Sequence, residues 1–159
     1  MTAFALRPED FYHTGIVVPD LDAAMARLSA LAGYRWIAPV SYTLPFRMTS
    51  GTRDITSTFV YSLQAPHVEL VKEVPGTAWT AAPGNAIHHL GYWTDDLGES
   101  AKLLEDNGFT FEATADTAPP ELALFAYYID AVGTRIEIVD RALFPDFPGF
   151  LRAAAGPEA

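Results

Sequence analysis

The chain has 159 residues, half of them hydrophobic, with no cysteine and a formal net charge of −10. That length suits one domain, or two small halves sharing a core. The missing cysteines exclude disulfide frameworks and thiolate chemistry, and the acidic balance argues against nucleic acid or an anionic membrane as partner.

The first residues, "MTAFALRPEDF", lack a basic segment followed by an apolar run, and no stretch approaches the ~20 apolar residues of a membrane span. A soluble cytoplasmic protein is expected. The first strand is expected at "FYHTGIVV" and a helix at "LDAAMARLSALAG". Asp20 is placed to cap that helix, Leu21, Met25, Leu28 and Leu31 fall near one face, and Gly33 ends it. Strands follow at "YRWIAPVSYT", "ITSTFVYSL" and "HVELVKEV". The segment "SYTLPFRMTSGTRD" reads as a long hairpin connection able to form a lid or ligand wall, carrying Phe46, Arg47, Met48 and Arg53. "VPGTAWTAAPGN" is rich in Pro, Gly and Ala and reads as a linker.

The second half repeats this order. "AIHHLGYWT" is a strand, and "LGESAKLLEDNG" is a helix with Asp96 as cap, Glu99 in the capping-box position and Gly108 as stop. Strands follow at "TFEATAD", "LALFAYYID" and "TRIEIVD". The reading is α+β, with βαβββ occurring twice in one domain over 1–159: module 11–73, linker 74–86, module 87–140 and a C-terminal cap 141–159. In the cap, Phe144, Phe147 and Phe150 recur every three residues and are expected to cover an open end of the core, with a dimer contact as the alternative. The closing "AAAGPEA" is expected to be mobile.

The repeat is visible in individual residues. "HTGIVVPDL" from His13 aligns with "HLGYWTDDL" from His89, matching Gly15 with Gly91, Asp20 with Asp96 and Leu21 with Leu97 at an offset of 76 residues. Glu69 in "VELVKE" matches Glu137 in "IEIVDR" at an offset of 68. His89, rather than the adjacent His88, is thus the counterpart of His13. Side chains alternate along a strand, so His89, Gly91 and Trp93 share one face, and His88 is assigned a structural role under the second helix. Each glutamate sits mid-strand between apolar residues, where a carboxylate is costly unless paired or metal-bound. Two imidazoles and two carboxylates from His13, Glu69, His89 and Glu137 make a nitrogen–oxygen donor set suited to Zn, Ni, Co, Mn or Fe.

Other residues border this set. Trp93 is a candidate to pack a substrate ring. One of Tyr127 and Tyr128 should face inward, and Arg47 or Arg53 is placed to hold a carboxylate. His67, two residues before Glu69, reads as a strand-end surface residue. Ten Lys and Arg in the whole chain leave no evident basic groove for coenzyme A phosphates, and the aromatic content suits a hydrophobic small molecule.

"YHTGIVVPDLDAA" and "HHLGYWTDDL" together resemble the vicinal oxygen chelate superfamily, which contains glyoxalase I, methylmalonyl-CoA epimerase, extradiol dioxygenases and bleomycin-resistance proteins. They are most similar to the epimerase branch. The resemblance implies paired βαβββ modules whose mixed sheets wrap a central cleft, with one divalent metal held by His13, Glu69, His89 and Glu137. Two departures matter. Epimerase relatives usually have Gln at the place of Glu69. Bacterial glyoxalase I often has an arginine where this chain has Val17, which argues against a glutathione thioester. The implied function is a metal-dependent isomerase or lyase working through an enolate of a substrate with vicinal oxygens, with Glu137 or Glu69 as base and Trp93, Tyr127, Tyr128 and Arg47 binding substrate. The alternatives are an iron extradiol-type dioxygenase using His13, His89 and Glu137, and a metal-free drug- or metabolite-binding protein. A homodimer is expected.

Overall fold

The computed structural model describes residues 6–81 and 87–155. Part of the linker and the end of "AAAGPEA" lie outside the described residues. The strands are β1 (Phe11–Val18), β2 (Val40–Met48), β3 (Gly51–Tyr61), β4 (Val68–Lys72), β5 (His89–Thr94), β6 (Thr110–Ala115), β7 (Ala123–Ile129) and β8 (Arg135–Asp140). The helices are α1 (Leu21–Ala32), α2 (Leu97–Asp106) and α3 (Phe147–Ala153). Eight strands among the described residues, in mixed parallel and antiparallel pairing with few helices, make the α+β, glyoxalase-like fold that the resemblance implies. No helix among the described residues is long and apolar enough to cross a membrane.

The chain divides into two compact units whose limits do not follow chain order. One comprises His13–Thr43, Thr56–His88 and Phe144–Ala159. In it β1 pairs parallel with β4, and β4 antiparallel with β3. The parallel step needs a long crossover, which α1 and the hairpin supply. Asp20 caps α1 by accepting the Ala23 N–H at 2.9 Å, and Gly33 ends it at φ 72°, a conformation glycine adopts without steric cost. The Phe147 ring meets Tyr61 edge-on at 5.2 Å, so the C-terminal aromatics do cover this unit's own core.

The other unit comprises Met1–Tyr12, Leu44–Ile55 and His89–Leu143. Here β5 pairs parallel with β8, β8 antiparallel with β7, β7 with β6, and β6 with Phe46–Met48 of β2. Its core joins Ala101 and Leu104 of α2 to Ala126, Tyr128, Ile136 and Ile138. Full burial of a Leu or Ile side chain contributes about 1.5–3 kcal/mol.

Three local expectations are corrected. The expected long connection carrying Phe46, Arg47 and Met48 is strand, turning only at Thr49 and Ser50. Phe46 and Met48 are buried and Arg47 between them less so, a period of two that continues through Pro45. Leu31 is 82% exposed. Ten residues after Leu21, it stands about 80° off that residue's direction at 100° per residue. At the start of α2, Asp96 accepts the Glu99 N–H at 2.9 Å as expected, but its own N–H goes to Thr94 Oγ1 at 3.1 Å rather than to the Glu99 side chain.

Candidate metal centre

In the first unit, His13 stands on β1 and Glu69 on β4. Strand register sets Gly15 opposite Glu69 on one side and Tyr61 of β3 opposite it on the other. A glycine leaves room beside the carboxylate, and the tyrosine walls it. His13 Nε2 lies 3.3 Å from Glu69 Oε2. The imidazole is 0% exposed and Glu69 6%. The Tyr61 ring meets His13 edge-on, with centroids 5.5 Å apart.

The second unit repeats each feature. Gly91 is opposite Glu137, and Tyr127 is opposite it from β7. His89 Nε2 lies 3.3 Å from Glu137 Oε2, with both residues buried. Tyr127 meets His89 edge-on at 5.1 Å. Each unit thus carries one buried imidazole–carboxylate pair of metal-ligating type, His13 with Glu69 in one and His89 with Glu137 in the other.

The donor chemistry fits a divalent ion. Charge-assisted N–H···O⁻ bonds are usually about 2.7–2.9 Å long, shorter than the 3.3 Å found in both pairs. Two donors each about 2.1 Å from a common ion, at a tetrahedral angle, stand about 3.4 Å apart. Imidazole with carboxylate suits zinc and the other first-row divalent metals.

The four residues proposed to touch substrate fall into different places. Tyr127 is buried beside His89 and Glu137. Tyr128, its neighbour on a strand, must face the other way. It packs in the core under α2, with its hydroxyl 3.3 Å from Glu105 Oε1. Burial, first, and the nearby Glu105 carboxylate push that hydroxyl's pKa well above its ordinary value. Tyr128 is therefore a core residue rather than a neighbour of the His89–Glu137 pair.

Arg47 is likewise committed elsewhere. It donates to the carbonyls of Pro120 and Glu121 at 3.0 and 3.2 Å and pairs with Asp116 at 3.5 Å, so it braces the turn before β7. Arg53 is exposed. Trp93 stacks on Tyr12 at 3.6 Å with planes 11° apart, and it lines a small cavity with Arg7, Asp10, Glu99 and Arg141. His88 is structural, but its anchor is the Ala78 carbonyl rather than α2: Nε2 donates to that oxygen at 2.7 Å. His67 is half-buried rather than a surface residue, and its Nδ1 donates to the Ser62 carbonyl at 3.0 Å.

Sequence reasoning missed Tyr61. The signal was present: "FVY" at 59–61 matches "FAY" at 125–127. Phe59 and Phe125 each pack against the tyrosine of their own motif, at 5.4 and 5.9 Å.

Comparison with known proteins agrees with this architecture. Among curated proteins, none matches the chain. A Streptomyces coelicolor methylmalonyl-CoA epimerase variant in complex with 2-nitronate-propionyl-CoA is similar, with TM-score 0.54 and 17% identity over 82% of this chain and 96% of that one. The Mycobacterium tuberculosis methylmalonyl-CoA epimerase has TM-score 0.53 and 18% identity over 88% and 91%. A hypothetical protein of Bacillus halodurans has TM-score 0.52 and 14% identity over 82% and 92%. At these identities the likeness is one of fold. A sequence profile of one family matches residues 12–136: the chain belongs to the Glyoxalase/Bleomycin resistance protein/Dioxygenase superfamily.

Proposed function

We propose that the protein is a divalent-metal-dependent enzyme of the glyoxalase and epimerase kind, an isomerase or lyase acting on a small molecule with two neighbouring oxygens. The observation that carries this reading is the pair of equivalent buried imidazole–carboxylate contacts, both at 3.3 Å. The epimerase-like fold of the solved relatives supports it.

His13, Glu69, His89 and Glu137 would hold the ion. When bound, a divalent metal supplies Lewis-acid stabilisation of negative charge on a substrate oxygen, worth several kcal/mol. The chain's own residues move the proton. Glu137 or Glu69 takes it from the substrate carbon at a carboxylate oxygen and returns it to the opposite face or to a neighbouring atom. Departure of a leaving group instead gives a lyase. General-base action of this kind contributes about 10²–10⁴-fold. Tyr127 and Tyr61 hold the ring planes of His89 and His13, and their burial keeps water from the carboxylates. The proposed partners are a small-molecule substrate and a second copy of the chain.

The test is the metal content of protein purified without chelator or affinity tag, beside Glu137→Gln. Near-stoichiometric zinc, nickel, cobalt or manganese, reduced in the variant, is expected. Iron accompanied by oxygen uptake would move the reading to a dioxygenase. No metal after incubation with each candidate ion would overturn it.

A further inference from the structure

A second cavity lies within the unit that holds His13 and Glu69, and it contains none of the four metal-site residues. Its volume is ≈490 Å³, and its lining includes Arg35, Leu63, His67, Pro148, Leu151 and Arg152. Small-molecule sites commonly span about 300–1,000 Å³.

The charges here run against the rest of the molecule. With a net charge of −10, the protein commits half of its ten Lys and Arg to close carboxylates: Arg7 to Asp10, Arg47 to Asp116, Lys102 to Asp106, Arg135 to Glu112 and Arg141 to Asp10 and Asp95. Arg152 has only Asp146, at the 4.0 Å limit of an ion pair. Arg35 enters no ion pair among the described residues. Two arginines therefore line one cavity with little carboxylate to neutralise them.

His67 stands beside them as an oriented ring, its Nδ1 donating to the Ser62 carbonyl at 3.0 Å. The Phe147 ring, edge-on at 5.4 Å, fixes the imidazole from the side. The Ala154 carbonyl at the end of α3 accepts from the Ala38 N–H at 2.7 Å and is thereby occupied.

We propose that this cavity binds a small organic carboxylate with a short apolar body. Arg35 and Arg152 hold the head group, since a guanidinium matches a carboxylate with two parallel hydrogen bonds. Leu63, Pro148 and Leu151 receive the apolar body. The site stands apart from the proposed metal chemistry and does not depend on it.

Hexanoate is the probe. It is titrated into the intact protein while the carbon-bound imidazole protons are followed by NMR, the His67 signals being assigned by their loss in His67→Gln. A saturable shift of the His67 signals is expected. Binding should weaken at least tenfold in Arg35→Gln/Arg152→Gln, with part of that loss in each single variant, and should be unchanged in Arg27→Gln. Both target arginines are exposed, so the variants should fold, which circular dichroism checks. Hexylamine should give no response and inorganic phosphate a weaker one. A shift without saturation, equal affinity in the double variant, or phosphate binding as tightly as hexanoate would overturn the proposal.

Discussion

The two halves present the same residues on strands of unequal length. His13, Gly15, Tyr61 and Glu69 correspond to His89, Gly91, Tyr127 and Glu137, and both imidazole–carboxylate contacts are 3.3 Å. Yet β2 and β3 have 9 and 11 residues where β6 and β7 have 6 and 7. The extra length accumulates towards the hairpin tip, where it leaves the register opposite the glutamate untouched. A one-residue slip there would turn the whole strand over. The supports also differ. Each tyrosine is flanked by a phenylalanine of its own strand, Phe59 or Phe125, but Tyr61 is also covered by Phe144 and Phe147 from the end of the chain. Equivalent imidazole–carboxylate pairs are thus held by inequivalent surroundings.

The largest expected effect tests that equivalence. His13→Ala and His89→Ala should each weaken cobalt binding by at least ~100-fold in competition with a chelating dye, since even residues behind the ligands typically account for 10–100-fold. Loss in one variant alone would show that the two pairs do not share an ion. Phe147→Ala probes the unequal support. Truncating this buried ring should destabilise the protein by about 3 kcal/mol in urea unfolding, and an unchanged midpoint would deny the C-terminal aromatics a role in the core.

Asp10 sharpens the contrast through pH. The hydrogen bond from Arg7 holds its carboxyl below the ordinary 3.8, against the opposing pull of burial and with help from Arg141. A lowered carboxylate adds stability above its unfolded value and loses it as pH falls through the folded one. Asp10→Asn should therefore cost about 1 kcal/mol at pH 7, and its difference from wild type should disappear in acid below pH 3.8. A deficit that persists in acid would assign the effect to packing. The smallest effects are the two helix caps. Asp20→Ala and Asp96→Ala should each cost about 1 kcal/mol, and a clear inequality in thermal unfolding would mean that α1 and α2 depend differently on their first turns.

Strands and helices were legible where the signal is local. "FYHTGIVV" is β1 residue for residue, and the aspartate caps and Gly33 stand where expected. The repeat singled out His89 over His88 by counterpart alone, and His88 is indeed tied to a backbone carbonyl. The long hairpin was less legible, because Pro45 and "TSGTRD" read as loop while the alternating burial of Phe46 and Met48 depends on a partner strand.

What the sequence alone determined was the set of elements, their twofold recurrence and the four residues able to ligate a metal, because capping, alternation and self-similarity are written in neighbouring residues. What only the tertiary structure decided was which side chains stand beside them. Tyr61 and Tyr127 lie across from the glutamates, Tyr128 turns beneath α2, and Arg47 braces a turn more than seventy residues away. The physical reason is register: a cross-strand neighbour is set by pairing between distant segments, and no local pattern records which residue will stand opposite.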